Sequence, residues 1–428
     1  MLTRRHFLGT AAATMLATPV ILRGGTDDAE KLILSAPLTH SDWMLRPGSV
    51  WGAEGVHKML DACKACGWSR IYWRTLDGGR ANFPSKVVRP AHEWDHDNFW
   101  NPQTEEDWAT FRRFYPHISD EDRKALIAKF VHYNYGEFDS LGEAIRYGHE
   151  IGLQIHAWIS INEDDHGWGV ISDFARDNPR FRWVRRDGRP YRSQMSFAFP
   201  EVRQYKLDIV QEILDGYDAD GIFIDWIRTG DVRDNPQTDA DGVANSGYEP
   251  PLVEAFKQRY GIDPHEVPNS DERWVALRAE PQTIYMRELR QRTGKAKKPL
   301  AIMVGHPWHY RGFLDKIDGN LRGLLLDVKT WAAEGLIDHA VAAGYYRDGG
   351  NAELAHNALR DETGGKVDMW TFAWVPETVA QFEADFALAQ RVGAKQILFW
   401  EADYIAARGN AAELQAAMRR RAAGIATE

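Results

Sequence analysis

Eight short apolar runs recur along the chain, mostly β-rich and each ending in polar or aromatic residues. They are Leu32–Leu38, Arg70–Leu76, Gln154–Ile161, Gly221–Ile227, Leu300–Gly305, His339–Tyr346, Val367–Trp374 and Gln396–Trp400. Segments of helical periodicity lie between them. Val56, Met59, Leu60 and Cys63 fall at i, i+3, i+4 and i+7; Val202, Tyr205, Ile209 and Ile213 share one helical face, as do Val379, Phe382, Phe386 and Ala389. Gly67, Gly152 and Gly393 stand just before the next strand, where helices of αβ units stop. Strands alternating with helices imply parallel strands joined by crossover helices. Eight such units predict an α/β fold, a closed (β/α)8 TIM barrel. An open doubly wound sheet is the alternative, but no glycine-rich phosphate loop follows the first strand.

Two connections are long, Gly78 to about Ser140 after strand two and Thr229 to about Pro299 after strand four. Both leave carboxyl ends of strands, where barrel active sites are built, so these insertions are expected to form walls or lids. Asp263-Pro264 and Val267-Pro268 punctuate the second one. With no internal repeat and no linker, residues 31–428 read as a single barrel domain.

The first 30 residues read differently, as a signal peptide with a short linker. Arg4, Arg5, Phe7 and Leu8 give the twin-arginine pattern ahead of a short Ala- and Thr-rich apolar stretch, which predicts export to the periplasm or beyond. No lipobox cysteine follows, and no other segment is suited to membrane insertion. The chain has 428 residues, 44% of them hydrophobic, enough for a large core. Its net charge of −10, without a basic tract, argues against nucleic acid or an anionic membrane as partner. Cys63 and Cys66 are the only cysteines, so there is no disulfide framework; at their helical spacing they read as buried small hydrophobes rather than a redox pair. The 17 Trp are mostly expected in the core, but so many invite a search for stacking platforms in a cleft.

Strand ends carry the candidate chemistry. Strand four reads Gly221-Ile-Phe-Ile-Asp-Trp-Ile-Arg228, and period two sets Phe223, Asp225 and Ile227 on one face. A carboxylate there is costly to desolvate unless it is paired or working at the barrel mouth. Arg228 follows, able to pair with it or with substrate. Strand eight ends Trp400-Glu401-Ala-Asp403, and a carboxyl group among aromatics is suited to act as a general acid; Glu401 is preferred over Asp403. Other strand ends contribute Arg74, Asp77, Glu163, Asp164, His306, Trp308, Tyr346, Trp374 and Glu377. Arg74, Asp77, Glu163, Arg228, His306, Trp308, Tyr346 and Trp374 are the expected substrate contacts. Two opposed carboxyl groups amid aromatic platforms are what glycoside hydrolysis needs, with a carbohydrate as partner and no cofactor.

Three segments carry a family resemblance. Asp218-Ala-Asp-Gly-Ile-Phe-Ile-Asp-Trp-Ile-Arg228 resembles the strand-four motif of the family-10-like glycosyl hydrolases. Phe256-Lys-Gln-Arg-Tyr-Gly-Ile-Asp-Pro264 is similar to that family's F-x-x-x-Y-G-x-D-P segment. Trp331-Ala-Ala-Glu-Gly-Leu-Ile-Asp338, running into Tyr345-Tyr346, resembles its W-x-x-x-G-x-x-D…Y block. The resemblance implies a TIM barrel with Asp225 as catalytic carboxylate. A metal-dependent hydrolase is a competing class, resting on His92, Glu93, Asp95, His96 and Asp97. A catalytically inactive barrel that binds polysaccharide is another.

Overall fold

The computed structural model describes residues 31–428 except 45, 47, 93–103, 106–108, 110–118, 120, 123–124, 126–131, 163, 165–170, 227–233, 235, 306–316, 344–348, 401, 403–404, 406–411 and 425–428. The twin-arginine segment therefore lies outside the described residues.

Eight parallel strands close into a barrel: β1 (Ile33–Leu38), β2 (Arg70–Arg74), β3 (Gln154–Ser160), β4 (Gly221–Asp225), β5 (Leu300–Val304), β6 (His339–Ala342), β7 (Asp368–Trp374) and β8 (Gln396–Trp400). Each strand pairs with its neighbours in sequence, and β8 closes the ring on β1 with Ile33 opposite Gln396. All eight coincide with apolar runs of the sequence, because strands covered on both faces read as near-continuous hydrophobic stretches. The helices α1 (Ala53–Ala65), α2 (Ser140–Glu150), α3 (Pro200–Gly216), α4 (Glu272–Lys295), α5 (Val328–Ala333), α6 (Gly349–Glu362), α7 (Val379–Val392) and α8 (Ala412–Ala422) follow the strands in turn.

The expected helix faces are the buried ones. In α1, Val56, Met59, Leu60 and Cys63 are buried, and Cys66 joins them in the main core. In α7, Phe382, Phe386 and Ala389 are buried, and Gly393 ends the helix in the left-handed region at φ 71°. In α3, Tyr205 is only half-buried while Lys206 is buried, a departure explained below. Among the described residues nine Trp are fully buried, so these indoles serve mainly as core volume.

Inside the barrel the alternation of β-strands stacks side chains in layers. Near the amino-terminal end, Gln396 Nε2 donates to Ser35 Oγ and to Tyr72 OH, at 2.7 Å each, while Arg70 donates to Gln396 Oε1 at 2.8 Å. Above this polar layer, the rings of Tyr72, Phe223 and Trp370 pack with centroids 4.6–6.2 Å apart. Gly221, the glycine of the strand-four motif, faces the His156 imidazole: a Cβ there would lie 2.4 Å from Nδ1. Burial holds His156 well below the ordinary histidine pKa, so its ring is neutral.

Described parts of the connections after β2, β3 and β4 pack against one another. After β2, Arg80 is buried and reaches Asp173 beyond β3 at 3.2 Å, and Arg89 reaches the same carboxylate at 2.8 Å. The β3–α3 connection, not anticipated as long, spans residues 161–199 and carries an antiparallel hairpin of Arg182–Val184 and Pro190–Met195. Its signal was Asp187-Gly188, with Gly188 at φ 82°, hidden in a charge-rich segment without apolar alternation. After β4, a helix Pro250–Tyr260 and the start of α4 build a satellite core around Tyr248, Phe256 and Trp274.

Candidate active site

At the carboxyl ends of the strands the barrel interior changes from apolar to polar. Asp225 is the last residue of β4, two positions above Phe223 and so on the interior side. It is fully buried, and Ser160 Oγ, paired with it in register on β3, donates to Asp225 Oδ2 at 3.3 Å. The next residue, Trp226, turns outward and packs against Phe197, Tyr285 and Trp331, which locks the end of the strand between barrel and helices. Arg74 ends β2 on the interior side above Tyr72, 1% exposed, with its guanidinium carbon 5.0 Å from the centroid of the Trp158 ring. Trp158 meets Trp400 of β8 edge-on at 5.2 Å. Trp400 packs on Phe372 at 5.9 Å, and Phe372 meets the half-buried Trp374 edge-on at 6.0 Å.

Asp225, Arg74 and Trp374 thus belong to one uppermost layer, as strand-end positions predicted. Trp158 and Trp400 form its aromatic floor, and Ser160 its polar link to Asp225. Period two along β3 was the signal for Trp158 and Ser160. Asp77 lies in a short antiparallel pair, opposite Arg80. Glu163, Arg228, His306, Trp308, Tyr346 and Glu401 lie outside the described residues, as does Asp403. Glu377 is exposed just ahead of α7, where its N–H donates to Gln381 Oε1.

Asp164 stands apart from the mouth carboxylates with which its position in sequence grouped it. It is 1% exposed, its Oδ2 lies 2.8 Å from Lys206 Nζ, and its Oδ1 accepts from Ser172 Oγ at 2.9 Å. The pair fastens the β3–α3 connection to α3, which explains a buried lysine on a face expected to be apolar.

Other buried charges are architectural as well. Glu249 Oε1 accepts from the Val184 N–H at 3.2 Å, joining the hairpin to the β4 insertion; desolvation raises its pKa to about 7. Arg278 is buried beneath the insertion and donates to the carbonyls of Ala244, Ser246 and Asn269. Arg185 donates to the Asp234 and Pro236 carbonyls. His40, beyond β1, is buried among aromatic rings with Nδ1 2.9 Å from Tyr135 OH; desolvation lowers its pKa to about 3 and keeps it neutral. Of the alternative metal cluster only His92 is described, and among the described residues no group of three or more His, Cys, Asp or Glu could hold a metal ion.

The motifs outside strand four also have structural work. Phe256 and Tyr260 pack at 4.7 Å, Gly261 ends their helix at φ 70°, and the Asp263 carboxylate accepts from the His265 N–H. Trp331 Nε1 donates to Thr283 Oγ1 at 2.9 Å, and Asp338 accepts two hydrogen bonds from Arg290 and one from the Leu300 N–H. Asp338 stands at the amino-terminal end of β6, away from the mouth.

Residues 108–366 match the family model described as Glycosyl hydrolase-like 10. An S-layer-related protein of Niallia circulans is 30% identical over a 138-residue match, with 28% of this chain and 8% of that protein covered. Among solved structures, the catalytic domain of beta-amylase from Paenibacillus polymyxa is similar at a TM-score of 0.54 and 10% identity, covering 91% of this chain and 97% of that one. The PgaB (BpsB) glycoside hydrolase domain of Bordetella bronchiseptica gives 0.53 and 12%, over 90% and 99%. Alpha-L-fucosidase isoenzyme 2 of Paenibacillus thiaminolyticus gives 0.52 and 16%, over 92% of this chain but only 49% of that one. At these identities the likeness is one of fold. The chain spans about half of the fucosidase and a small part of the S-layer-related protein.

Proposed function

The chain belongs to the glycosyl hydrolase-like 10 family, and on that premise we propose that it is an exported glycoside hydrolase that cleaves a glycosidic bond in an oligo- or polysaccharide with a pair of carboxyl groups. The observation that carries this reading is Asp225: a carboxylate buried at the carboxyl end of a barrel strand, on the interior side, bonded by Ser160 of the neighbouring β3, whose Trp158 packs under Arg74 at the end of β2. The names of the structural neighbours, a beta-amylase, an alpha-L-fucosidase and a glycoside hydrolase domain, support the same chemistry.

In this reading Asp225 is the nucleophile, or the base that activates water, and its charge meets the oxocarbenium-like transition state. Being already desolvated, it interacts strongly with charge that develops beside it. Glu401 is the proposed general acid. It follows β8, and β4 and β8 are four places apart either way round the ring, so their ends face each other across the mouth. Arg74 and Trp374 contact the sugar, the latter by stacking, and Asp77, Glu163, Arg228, His306, Trp308 and Tyr346 are further proposed contacts.

A panel of aryl glycosides and polysaccharides tests the activity; turnover of none of them would overturn it. With a substrate in hand, Glu401→Gln should slow cleavage most where the leaving group is poor and spare an activated aryl leaving group. Equal losses on both kinds of substrate would move the acid role to Asp77, Glu163, Glu377 or Asp403. Export rests on the Arg4-Arg5 pair. Changing both to Lys should leave precursor in the cytoplasm, detected by fractionation, whereas normal processing would remove the twin-arginine assignment.

A further inference from the structure

The hydrogen bonding of β3 to β4 continues one residue past the strand. The Ile161 N–H still bonds the Asp225 carbonyl at 3.2 Å, and Ile161 joins Ile159 in the main core. The chain turns at Ile161 and Asn162, so Asn162 stands in the turn that follows β3, two residues past Ser160 and next in sequence to the residue bonded to the Asp225 carbonyl. Trp158 is fully buried and Asn162 is 4% exposed. Among the described residues, neither Trp158 Nε1 nor Asn162 Oδ1 has a hydrogen-bond partner.

Leaving a buried donor or acceptor unmatched costs about 1–3 kcal/mol. One of the two unmatched groups lies in β3 and the other in the turn after it, on either side in sequence of the serine that bonds the buried carboxylate. An indole N–H and an amide oxygen present one donor and one acceptor, a complement to hydroxyl groups, which both donate and accept. The aromatic rings beneath suit the apolar C–H face of a pyranose.

We propose that Trp158, Ser160 and Asn162 form a sugar subsite next to Asp225, in which Asn162 accepts a hydrogen bond from a ring hydroxyl and sets which hydroxyl pattern is bound. The inference rests on the glycosidase reading of Asp225 and names the part of the mouth that recognises the sugar. It has an energetic corollary. A polar group kept unmatched for a ligand destabilises the free protein, so its removal should stabilise the protein while weakening binding.

The experiment uses the full chain carrying Asp225→Asn, which prevents turnover. Methyl glycosides of glucose, galactose, mannose, fucose, xylose and N-acetylglucosamine are titrated calorimetrically, and the best binder is followed with its monodeoxy analogues. Adding Asn162→Leu, which keeps the branching at Cγ and removes both polar atoms, should weaken the best binder about tenfold or more. One monodeoxy analogue should lose the same amount in the parent and nothing further in the Leu variant. The free Leu variant should melt at or above the parent. If the Leu variant does not fold, Asn162→Ala takes its place.

Unchanged affinity, or a lower melting temperature of the free variant, overturns the subsite and returns Asn162 to a structural or water-binding role. That result leaves the glycosidase reading standing, because sugar binding is still observed. Binding of no glycoside by the parent protein, together with no turnover by the wild type on the panel above, overturns both.

Discussion

Asp225→Asn is expected to lower kcat on an authentic substrate by about 10³-fold or more, some 4 kcal/mol of barrier, while leaving substrate binding largely intact. The substitution keeps the shape of the side chain and can still accept from Ser160 Oγ, which lies 3.3 Å from the native carboxylate. What it removes is the ionisable carboxyl group of a fully buried side chain. Stability supplies the second readout. A carboxylate buried purely for architecture would leave its partners unmatched when neutralised, and the protein would weaken. A carboxylate retained for chemistry costs desolvation, so the Asn variant should melt at or above the wild type. Folded protein with near-wild-type turnover would take the catalytic role away from Asp225. A variant that loses both fold and activity would make it a structural residue.

Lys206→Met is expected to act in the opposite way, costing about 3–5 kcal/mol of stability. Lys206 and Asp164 are both almost fully buried, with Nζ and Oδ2 2.8 Å apart. Removing the ammonium leaves Asp164 charged and enclosed, with only Ser172 Oγ as its remaining side-chain hydrogen-bond donor in the pair's surroundings among the described residues. Urea unfolding should show the loss as a lower midpoint. Adding Asp164→Asn removes the stranded charge and should recover much of it. Additive losses in the double variant would show that the pair does not act as a unit. The β3–α3 connection, which carries Asp164 and Ser172, should become the first segment open to proteolysis in the single variant.

The two residues show where a sequence can and cannot be read. Asp225 and Asp164 are both acidic residues at or just past the end of a barrel strand, and from sequence both belong to the mouth. Asp225 falls in phase with Phe223, so the alternation assigns it to the interior. Asp164 lies four residues beyond the end of β3, where alternation no longer assigns a side, and its partner is a lysine on the next helix. That lysine interrupts an apolar face, and nothing local marks it as a salt-bridge partner. Glu249 and Arg278 are similar: their partners come from a hairpin and loops remote in sequence.

By itself the sequence determined the eight strands, their parallel order, several helix faces and stops, and the layer to which Asp225, Arg74 and Trp374 belong. These follow from periods of 2 and 3.6 residues and from glycine at helix ends, all of which act over a few residues. Only the tertiary structure decided which polar groups meet. It set His156 against Gly221, bound the connections after β2, β3 and β4 into one wall through Asp173 and Glu249, and turned the 161–199 segment into a hairpin-bearing arm. The physical reason is that a buried charge or polar atom is tolerated only with a partner, and partners here come from loops brought together by closure of the barrel, over distances along the chain that no local pattern records.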